Sequence, residues 1–134
     1  MLQLTYISTA SRDITELAVN DILKSARRNN AAAGVTGLLL YDGKRFLQAL
    51  EGEADAVNGI YQAIKADPRH RAVVLLSSGE TDKRAFGNWA MAAQRVDAAP
   101  GGSLVEQIDA LTADVSDASM RAQFRSFAQV RAAA

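Results

Sequence analysis

The sequence predicts an α+β fold built on a ferredoxin-like sheet, with elements in the order β-α-β-β-α-β followed by one extra strand. Three observations lead to this prediction. Apolar residues alternate with polar ones in short strand-like runs, and they recur every three to four positions in the two segments between those runs. An Asp42-Gly43 dipeptide joins two strand-like runs as a hairpin turn. The clearest break is Pro100-Gly101-Gly102, and two further amphipathic segments follow it.

The first strand and the first helix are indicated by different periodicities. Residues 2–8 alternate, which predicts a strand with Tyr6 on the same face as Leu2 and Leu4. Asp13 and Glu16 have the spacing of a capping box, so we expect a helix to open there. Its apolar stripe is expected to end near Asn29-Asn30.

The hairpin brings a polar residue onto an apolar face. A two-residue loop at the Asp-Gly turn would pair Phe46 with Leu39 and Gln48 with Gly37. Alternation then puts Phe46, Gln48 and Leu50 on one face of the sheet. An amide left unpaired there would cost about 1–3 kcal/mol. We therefore expect a polar partner for Gln48, either elsewhere in the protein or in a ligand.

The second half of the predicted sheet domain contains one helix and two strands. Residues 54–66 have helical spacing, and Asp67-Pro68 is expected to end the helix. Residues 73–76 are apolar without alternation, which predicts a strand buried on both faces. Residues 89–96 are the predicted last strand.

The C-terminal segment has the pattern of a helical cover for the sheet. Both faces of the hairpin carry apolar residues, so two helices are expected on one face and the C-terminal pair on the other. The chain would thus divide into a sheet domain over residues 1–99 and a helical extension over residues 100–134. The extension carries apolar residues at helical spacing, namely Leu104, Val105, Ile108, Leu111, Met120, Phe124 and Phe127.

Composition narrows the classes of function. The chain has 134 residues, with 15 Lys and Arg balanced by 15 Asp and Glu. Without a basic surface, a nucleic-acid or anionic-membrane partner is not expected. No apolar run is long enough to span a membrane and no signal sequence is evident, so we expect a soluble cytoplasmic protein. Zero cysteines and one histidine disfavour disulfides, metal sites and Ser-His catalysis.

Three polar residues are expected to converge. In this topology the first strand neighbours the second hairpin strand, so Tyr6 and Gln48 lie side by side under the helices. Asn30 falls on the inner stripe of the first helix, two turns beyond Ile22. A few polar groups in an apolar cleft are typical of a small-molecule pocket, and Asn and Gln suit a flat heterocycle with imide-like edges. Taken singly, each also fits a structural role, such as a core tyrosine or a helix C-cap asparagine.

The motifs around these residues resemble the BLUF family, the sensors of blue light using FAD. The similarity extends over residues 2 to about 97. It is carried by Tyr6-Ile-Ser8, Ile22 to Asn30, Gly34 to Tyr41, Phe46-Leu-Gln-Ala-Leu-Glu-Gly52, Val57 to Tyr61, Asp67-Pro-Arg-His70 and Arg84 to Met91. With no effector domain attached, the chain is similar to the short, stand-alone members of the family.

The resemblance implies a non-covalent FAD, replaceable by FMN or riboflavin, between the two helices. It implies that Asn30 binds the flavin imide edge, and that Arg69, His70 and Arg84 are candidates for the ribityl-phosphate side. Ser8 and either Trp89 or Met91 would contact Tyr6 and Gln48. The implied cofactor-binding residues are Ile22, Asn29, Asn30, Gln48, Arg69, His70 and Arg84.

The resemblance also implies a photoreceptor rather than an enzyme. Tyr6 would give an electron to the excited flavin, its proton would follow through Gln48, and Gln48 would rotate or tautomerise. Trp89 or Met91 and the C-terminal helices would carry the change outward. A downstream protein partner and a homodimer or larger homo-oligomer are expected.

Two other functions are compatible with the same fold. An acylphosphatase-like enzyme would need a glycine-rich phosphate loop after the first strand. The corresponding turn, residues 9–13, has no glycine and contains Asp13, which disfavours that enzyme. A regulatory module that binds an amino acid or a partner through the sheet is the second alternative, and a yellow purified protein would distinguish a flavoprotein from both.

Overall fold

The computed structural model describes residues 1–86, 92–95, 104–113, 115 and 117–133. The elements follow the predicted order, with two helices after the last strand. They are β1 (Leu2–Ala10), α1 (Glu16–Ala32), β2 (Thr36–Tyr41), β3 (Arg45–Gly52), α2 (Ala54–Ala66), β4 (His70–Glu80), β5 (Ala92–Arg95), α3 (Leu104–Leu111) and α4 (Ala118–Ala133).

The five strands form one sheet in the order β4-β1-β3-β2-β5. β1 pairs antiparallel with both β3 and β4, and β2 pairs antiparallel with β3. β5 pairs parallel with β2 at the far edge. The two central strands are therefore β1 and β3, as the split β-α-β-β-α-β topology requires, and the predicted ferredoxin-like α+β fold is confirmed.

The hairpin register differs from the predicted one by two residues. Phe46 pairs with Tyr41 and Gln48 pairs with Leu39, whereas Gly37 had been expected opposite Gln48. Because side chains alternate with a period of two, this shift leaves every side chain on its predicted face.

The cause of the register shift is the Asp42 side chain. Its Oδ1 accepts the backbone N–H groups of Lys44 and Arg45 at 3.0 and 2.7 Å. The Asp42 N–H donates to the Arg45 carbonyl at 3.1 Å, so the turn is centred on Gly43 and Lys44. Of these two, Gly43 alone has positive φ, at 96°, so the type I′ turn that places Asp and Gly at its centre does not form.

The first helix begins and ends later than predicted. Thr15, not Asp13, is the N-cap, and its hydroxyl accepts the backbone N–H of Ala18 at 3.1 Å. The capping box at Asp13 was therefore wrong, because Thr15 satisfies the free N–H groups from a position two residues later. The helix continues through Asn29-Asn30 to Ala32.

The prediction that β4 is buried on both faces was also wrong. β4 is an edge strand, and its apolar residues Val74, Leu75 and Leu76 are 51, 45 and 46% exposed. Its pairing with β1 contains two register shifts, and Ala72 lies near one of them with a φ of 48°. Such bulges bend an edge strand, and an apolar run alone does not distinguish an edge from a centre.

Two apolar cores lie on opposite faces of the sheet. On the front face, α1 and α2 cover a cluster that includes Tyr6, Phe46 and Leu50. On the back face, Leu38 and Leu47 pack against the C-terminal segment through Ile108, Val115, Met120, Phe124 and Phe127. The expected domain boundary near residue 100 lies outside the described residues. No described helix is both long and apolar enough to cross a membrane.

Candidate functional site

The centre of the site is a hydrogen bond between two neighbouring strands. Tyr6 on β1 and Gln48 on β3 are directly paired, and both side chains are buried. The Tyr6 hydroxyl donates to Oε1 of Gln48 at 2.6 Å. Burial raises the pKa of Tyr6, and the nearby Tyr61 and Asp67 raise it further. The phenol is therefore neutral and holds its proton next to an amide oxygen.

Asn30 contributes an amide that the protein does not satisfy. It lies on α1 and is 2% exposed. Its Nδ2 has no hydrogen-bond partner among the described residues. Leaving a buried donor unpaired costs about 1–3 kcal/mol, so this atom is suited to an acceptor on a ligand.

A cavity of about 250 Å³ opens between α1, α2 and the front face of the sheet, and Asn30 lies in its wall. Most of the exposed lining is apolar. The lining residues are Tyr6, Ile22, Ser25, Ala26, Asn29, Asn30, Leu39, Gln48, Ile60, Ala63, Ile64, Asp67, Arg69 and His70.

Half of the residues that line the cavity were not predicted from the sequence. The residues that complete the wall are Ser25, Ala26, Leu39, Ile60, Ala63, Ile64 and Asp67. The signal was present as spacing, because Ile60, Ala63 and Ile64 are three and four positions apart on α2, and Ser25 and Ala26 are similarly placed relative to Ile22.

His70, the first residue of β4, is part of the cavity wall. Its Nδ1 is 2.8 Å from the Ser8 hydroxyl, and its ring lies 4.7 Å from that of Phe46. Burial lowers the pKa of His70; Asp67 opposes the shift and Arg69 reinforces it. The imidazole is neutral near pH 7 as a result. The Ser8 hydroxyl therefore has His70 as a hydrogen-bond partner.

Arg69 is at the cavity wall but is bound by carboxylates. It donates to Asp67 at 2.7–3.1 Å and to Asp21 at 3.0 Å. Hydrogen bonding to Asp67 raises the pKa of Arg69, and the same bond lowers the pKa of Asp67. The guanidinium thus bridges the end of α2 to α1.

Arg84, expected with the cofactor-binding residues, is not part of the cavity wall. Its guanidinium donates to the Thr36 hydroxyl at 2.7 Å and to the carbonyls of Gly34 and Glu51 at 3.1 and 3.2 Å. These partners fix it at the end of the hairpin remote from the turn. Trp89 and Met91 lie outside the described residues.

No cluster of three potential metal ligands occurs in the part of the chain that the structure describes. What the cavity offers instead is an apolar slot with one unpaired amide donor and one Tyr–Gln hydrogen bond. Such a slot suits a flat, largely apolar ring with acceptors at its edge.

Comparison with known proteins identifies the family of this chain. The family model described as "Sensors of blue-light using FAD" matches residues 1–92. Photoactivated adenylate cyclase subunit beta of Euglena longa is 42% identical over 83 residues, which are 62% of this chain and 10% of that protein. The chain thus spans about a tenth of the length of that curated relative.

Solved structures give the same result over nearly the whole chain. The dark-state structure of BlrB, a BLUF protein, has a TM-score of 0.70 and 25% identity and covers 96% of both chains. Klebsiella pneumoniae BlrP1 with FMN and cyclic diGMP has a TM-score of 0.81 and 26% identity, over 96% of this chain and 35% of that one. The family model matches well over half of the residues of this chain. The chain therefore belongs to the BLUF family of blue-light sensors that use FAD.

Proposed function

We propose that light is sensed here by Tyr6 and Gln48, and that Gln48 signals by exchanging its hydrogen bonds. The family is one of photoreceptor modules rather than enzymes, and its cofactor is a flavin. The observation that supports the proposal is the buried 2.6 Å bond from the Tyr6 hydroxyl to Gln48 in the cavity wall. Near it, Asn30 presents an amide donor with no described partner.

The cavity fits the ring system of a flavin better than a whole dinucleotide. Its volume of about 250 Å³ lies just below the roughly 300–1,000 Å³ of typical small-molecule sites. Asn30 would hold an acceptor of the ring edge, and Ile22 would supply apolar contact. FAD, FMN and riboflavin share this ring, so each is compatible with the cavity. Asn29, Arg69 and His70 would border the ring, whereas Arg84 is anchored elsewhere.

When bound, the flavin supplies an excited state that accepts one electron under blue light. Tyr6 is the donor in this proposal. Its buried phenol keeps its proton in the dark, because burial raises its pKa, but loss of an electron makes the phenol strongly acidic. The proton then moves along the existing bond to Oε1 of Gln48. When Tyr6 regains its electron and proton, the Gln48 amide is left rotated or tautomerised.

Signalling would proceed by contact with other proteins. In the curated relatives, related domains form a small part of longer photoactivated cyclase subunits. For this chain we propose a downstream protein partner and self-association. Trp89 and Met91, with Ser8 on β1, are proposed to respond to Gln48.

An absorption spectrum of the purified protein, dark and under blue light, tests the proposal. We expect a flavin spectrum with a small reversible red shift. Tyr6→Phe should keep the flavin and lose the shift, because the ring stays but the transferable proton is gone. Gln48→Ala should do the same.

Tyr61→Phe is the matched control, since the Tyr61 ring lies 5.7 Å from that of Tyr6. It should retain the shift. A normal red-shifted state in flavin-loaded Tyr6→Phe protein would show that Tyr6 is not the donor.

A further inference from the structure

Three consecutive residues after β4 hold the chain against the end of the hairpin, and we call residues 84–86 the clamp segment. The backbone N–H groups of Ala85 and Phe86 donate to the carboxylate of Glu51 at 2.8 and 2.9 Å. The Phe86 ring is buried in the back-face core, with its centre 6.1 Å from that of Phe124 on α4. The clamp segment therefore joins β3 to the C-terminal helices.

The Arg84 side chain extends this junction to the helix that carries Asn30. Its guanidinium donates to the Gly34 carbonyl at 3.1 Å and to the Thr36 hydroxyl at 2.7 Å. Gly34 lies just beyond the end of α1, where the Val35 N–H donates to the Asn30 carbonyl at 2.9 Å. The last turn of α1 contains no basic residue. Arg84 thus supplies the positive charge that is favourable near a helix C-terminus.

The clamp segment also lies close to the point where β5 begins. Thr36, which accepts from Arg84, is the first residue of β2, and β5 runs parallel to β2 from the pair Leu38 and Ala92. β5 has four residues and is the last strand in the sheet order. Parallel pairing is slightly less stable per residue than antiparallel pairing. The placement of β5 therefore depends on what holds the chain before it.

We propose that Arg84 is a positioning residue that fixes β5 relative to the flavin-binding end of α1, and that it does not bind a flavin phosphate. The acceptors of its hydrogen bonds belong to three residues of the protein, and none of them lines the cavity. Arg84 is exposed, so water competes for these bonds and the junction can loosen while the core stays folded. Its part in signalling rests on the proposed function, because Trp89 and Met91 lie between the clamp segment and β5 in the sequence.

Flavin titrations of the full chain distinguish a positioning residue from a phosphate ligand. The affinity for FMN is compared with the affinity for riboflavin, because these two ligands differ by one phosphate. We expect Arg84→Gln to leave the ratio of the two dissociation constants unchanged. Loss of a phosphate ligand would instead weaken FMN binding alone by about tenfold or more, since hydrogen bonds between charged groups are the stronger ones.

Hydrogen exchange in the dark tests the positioning role independently of the light response. We expect the amides of β5 to exchange at least about threefold faster in flavin-loaded Arg84→Gln than in wild type, because the lost bonds no longer hold the chain before the strand. Arg84→Lys keeps the charge but loses the planar fork of donors, so it should restore only part of the protection. Lys83→Gln is the matched control, because it removes the neighbouring exposed positive charge and should leave β5 unchanged.

A second comparison, under continuous blue light, separates positioning from a general loss of stability. Arg84→Gln should keep the red shift, because Tyr6 and Gln48 are intact, but the light–dark difference in β5 exchange should be smaller than in wild type. Lys83→Gln should show the wild-type difference.

Failure of this inference and failure of the proposed function give different results. A wild-type protein without a red shift would overturn the light-sensing proposal, and exchange in the dark would still decide the role of Arg84. Selective loss of FMN affinity in Arg84→Gln would make Arg84 a phosphate ligand. Wild-type exchange of β5 in that variant would show that Arg84 does not position the strand.

Discussion

At the scale of single residues, the two buried amides of the cavity differ in their hydrogen-bond partners. The Gln48 oxygen already accepts the Tyr6 hydroxyl, so this side chain takes part in a hydrogen bond within the protein, the one that we propose light exchanges. Nδ2 of Asn30 has no described protein partner, so its hydrogen bond is available to a cofactor. Asn30 should therefore govern binding, and Gln48 should govern the response to light.

Asn30→Ala is expected to weaken flavin binding without abolishing the photoresponse. Loss of one hydrogen bond costs about 0.5–1.5 kcal/mol, which is up to roughly a tenfold rise in the dissociation constant. Titration of the apoprotein with riboflavin, followed by fluorescence quenching, measures it. Asn20→Ala is the control, because Asn20 is exposed on the same helix. Equal affinities for the two variants would remove Asn30 from the binding site.

His70 should make stability depend on pH in a narrow window. Burial lowers its pKa below the ordinary 6.5, so below pH 6.5 the unfolded chain binds a proton that the folded chain does not. The free energy of unfolding should then fall as pH drops below 6.5. Above pH 6.5 the contribution of neutral His70 to stability should be complete. The hydrogen bond to Arg69 lowers the pKa of Asp67 below its ordinary 3.8, so the stability that this carboxylate contributes is lost only at lower pH than the His70 window.

Urea unfolding on either side of pH 6.5 measures this dependence. The chain has one histidine, so His70→Gln should flatten the pH dependence in that window. The same slope in wild type and variant would show that His70 titrates normally in the folded protein.

The sequence predicted the convergence of these residues but not all of their partners. Tyr6, Asn30 and Gln48 were identified because strand alternation and helical spacing determine which face each occupies. Arg84 does not line the cavity, because its partners, Gly34, Thr36 and the Glu51 carbonyl, are brought together by the sheet and are distant from it in sequence. No local pattern specifies such a set.

At the scale of elements, a buried carboxylate ties the hairpin to the segment that follows β4. Glu51 is fully buried on β3 and accepts four hydrogen bonds. Two come from the backbone N–H groups of Ala85 and Phe86 at 2.8 and 2.9 Å, and two come from Gln3 and Thr36. The carboxylate therefore fixes the path of the chain next to the hairpin.

Glu51→Gln should destabilise the fold by about 1–3 kcal/mol. The new amide NH₂ would face donors that now bind a carboxylate oxygen, so at least one buried N–H loses its acceptor. Urea unfolding of the apoprotein measures the loss. Glu53→Gln is the control, since Glu53 is the exposed N-cap of α2 and its side chain makes no capping bond. An unchanged unfolding midpoint for Glu51→Gln would contradict this role.

Element order and facing were predictable, whereas register and edge position were not. The order follows from local periodicity, and the two faces of the hairpin follow from alternation. The hairpin register depends on the Asp42 side chain capping Lys44 and Arg45, a choice that the Asp-Gly pair does not dictate. Whether β4 lies at the edge or in the centre of the sheet depends on how all the strands pair, and this is a property of the assembled sheet.

At the scale of the whole molecule, the sheet is a single layer between the cavity and the C-terminal helices. On β3, Gln48 faces the cavity, whereas its neighbours Leu47 and Ala49 face the back-face core. α4 contacts that face through Met120, whose sulfur accepts the Thr5 hydroxyl at 3.5 Å. Arg45 lies 4.5 Å from the centre of the Phe127 ring and also donates to the Phe127 carbonyl at 3.0 Å.

This arrangement predicts where light should alter hydrogen exchange. The proposed change at Gln48 would shift the backbone of β3. The helices on the reverse side of β3 are held by side-chain packing and a few polar contacts. We therefore expect amides of β5, α3 and α4 to change in protection between dark and continuously lit protein, while α2 stays the same. Mass spectrometry of exchanged samples, with the lit population kept high, measures the difference. Tyr6→Phe should show no light–dark difference at all. Identical protection of α3 and α4 in both states of the wild type would make these helices a structural cover, and the output surface would then lie on the sheet domain itself.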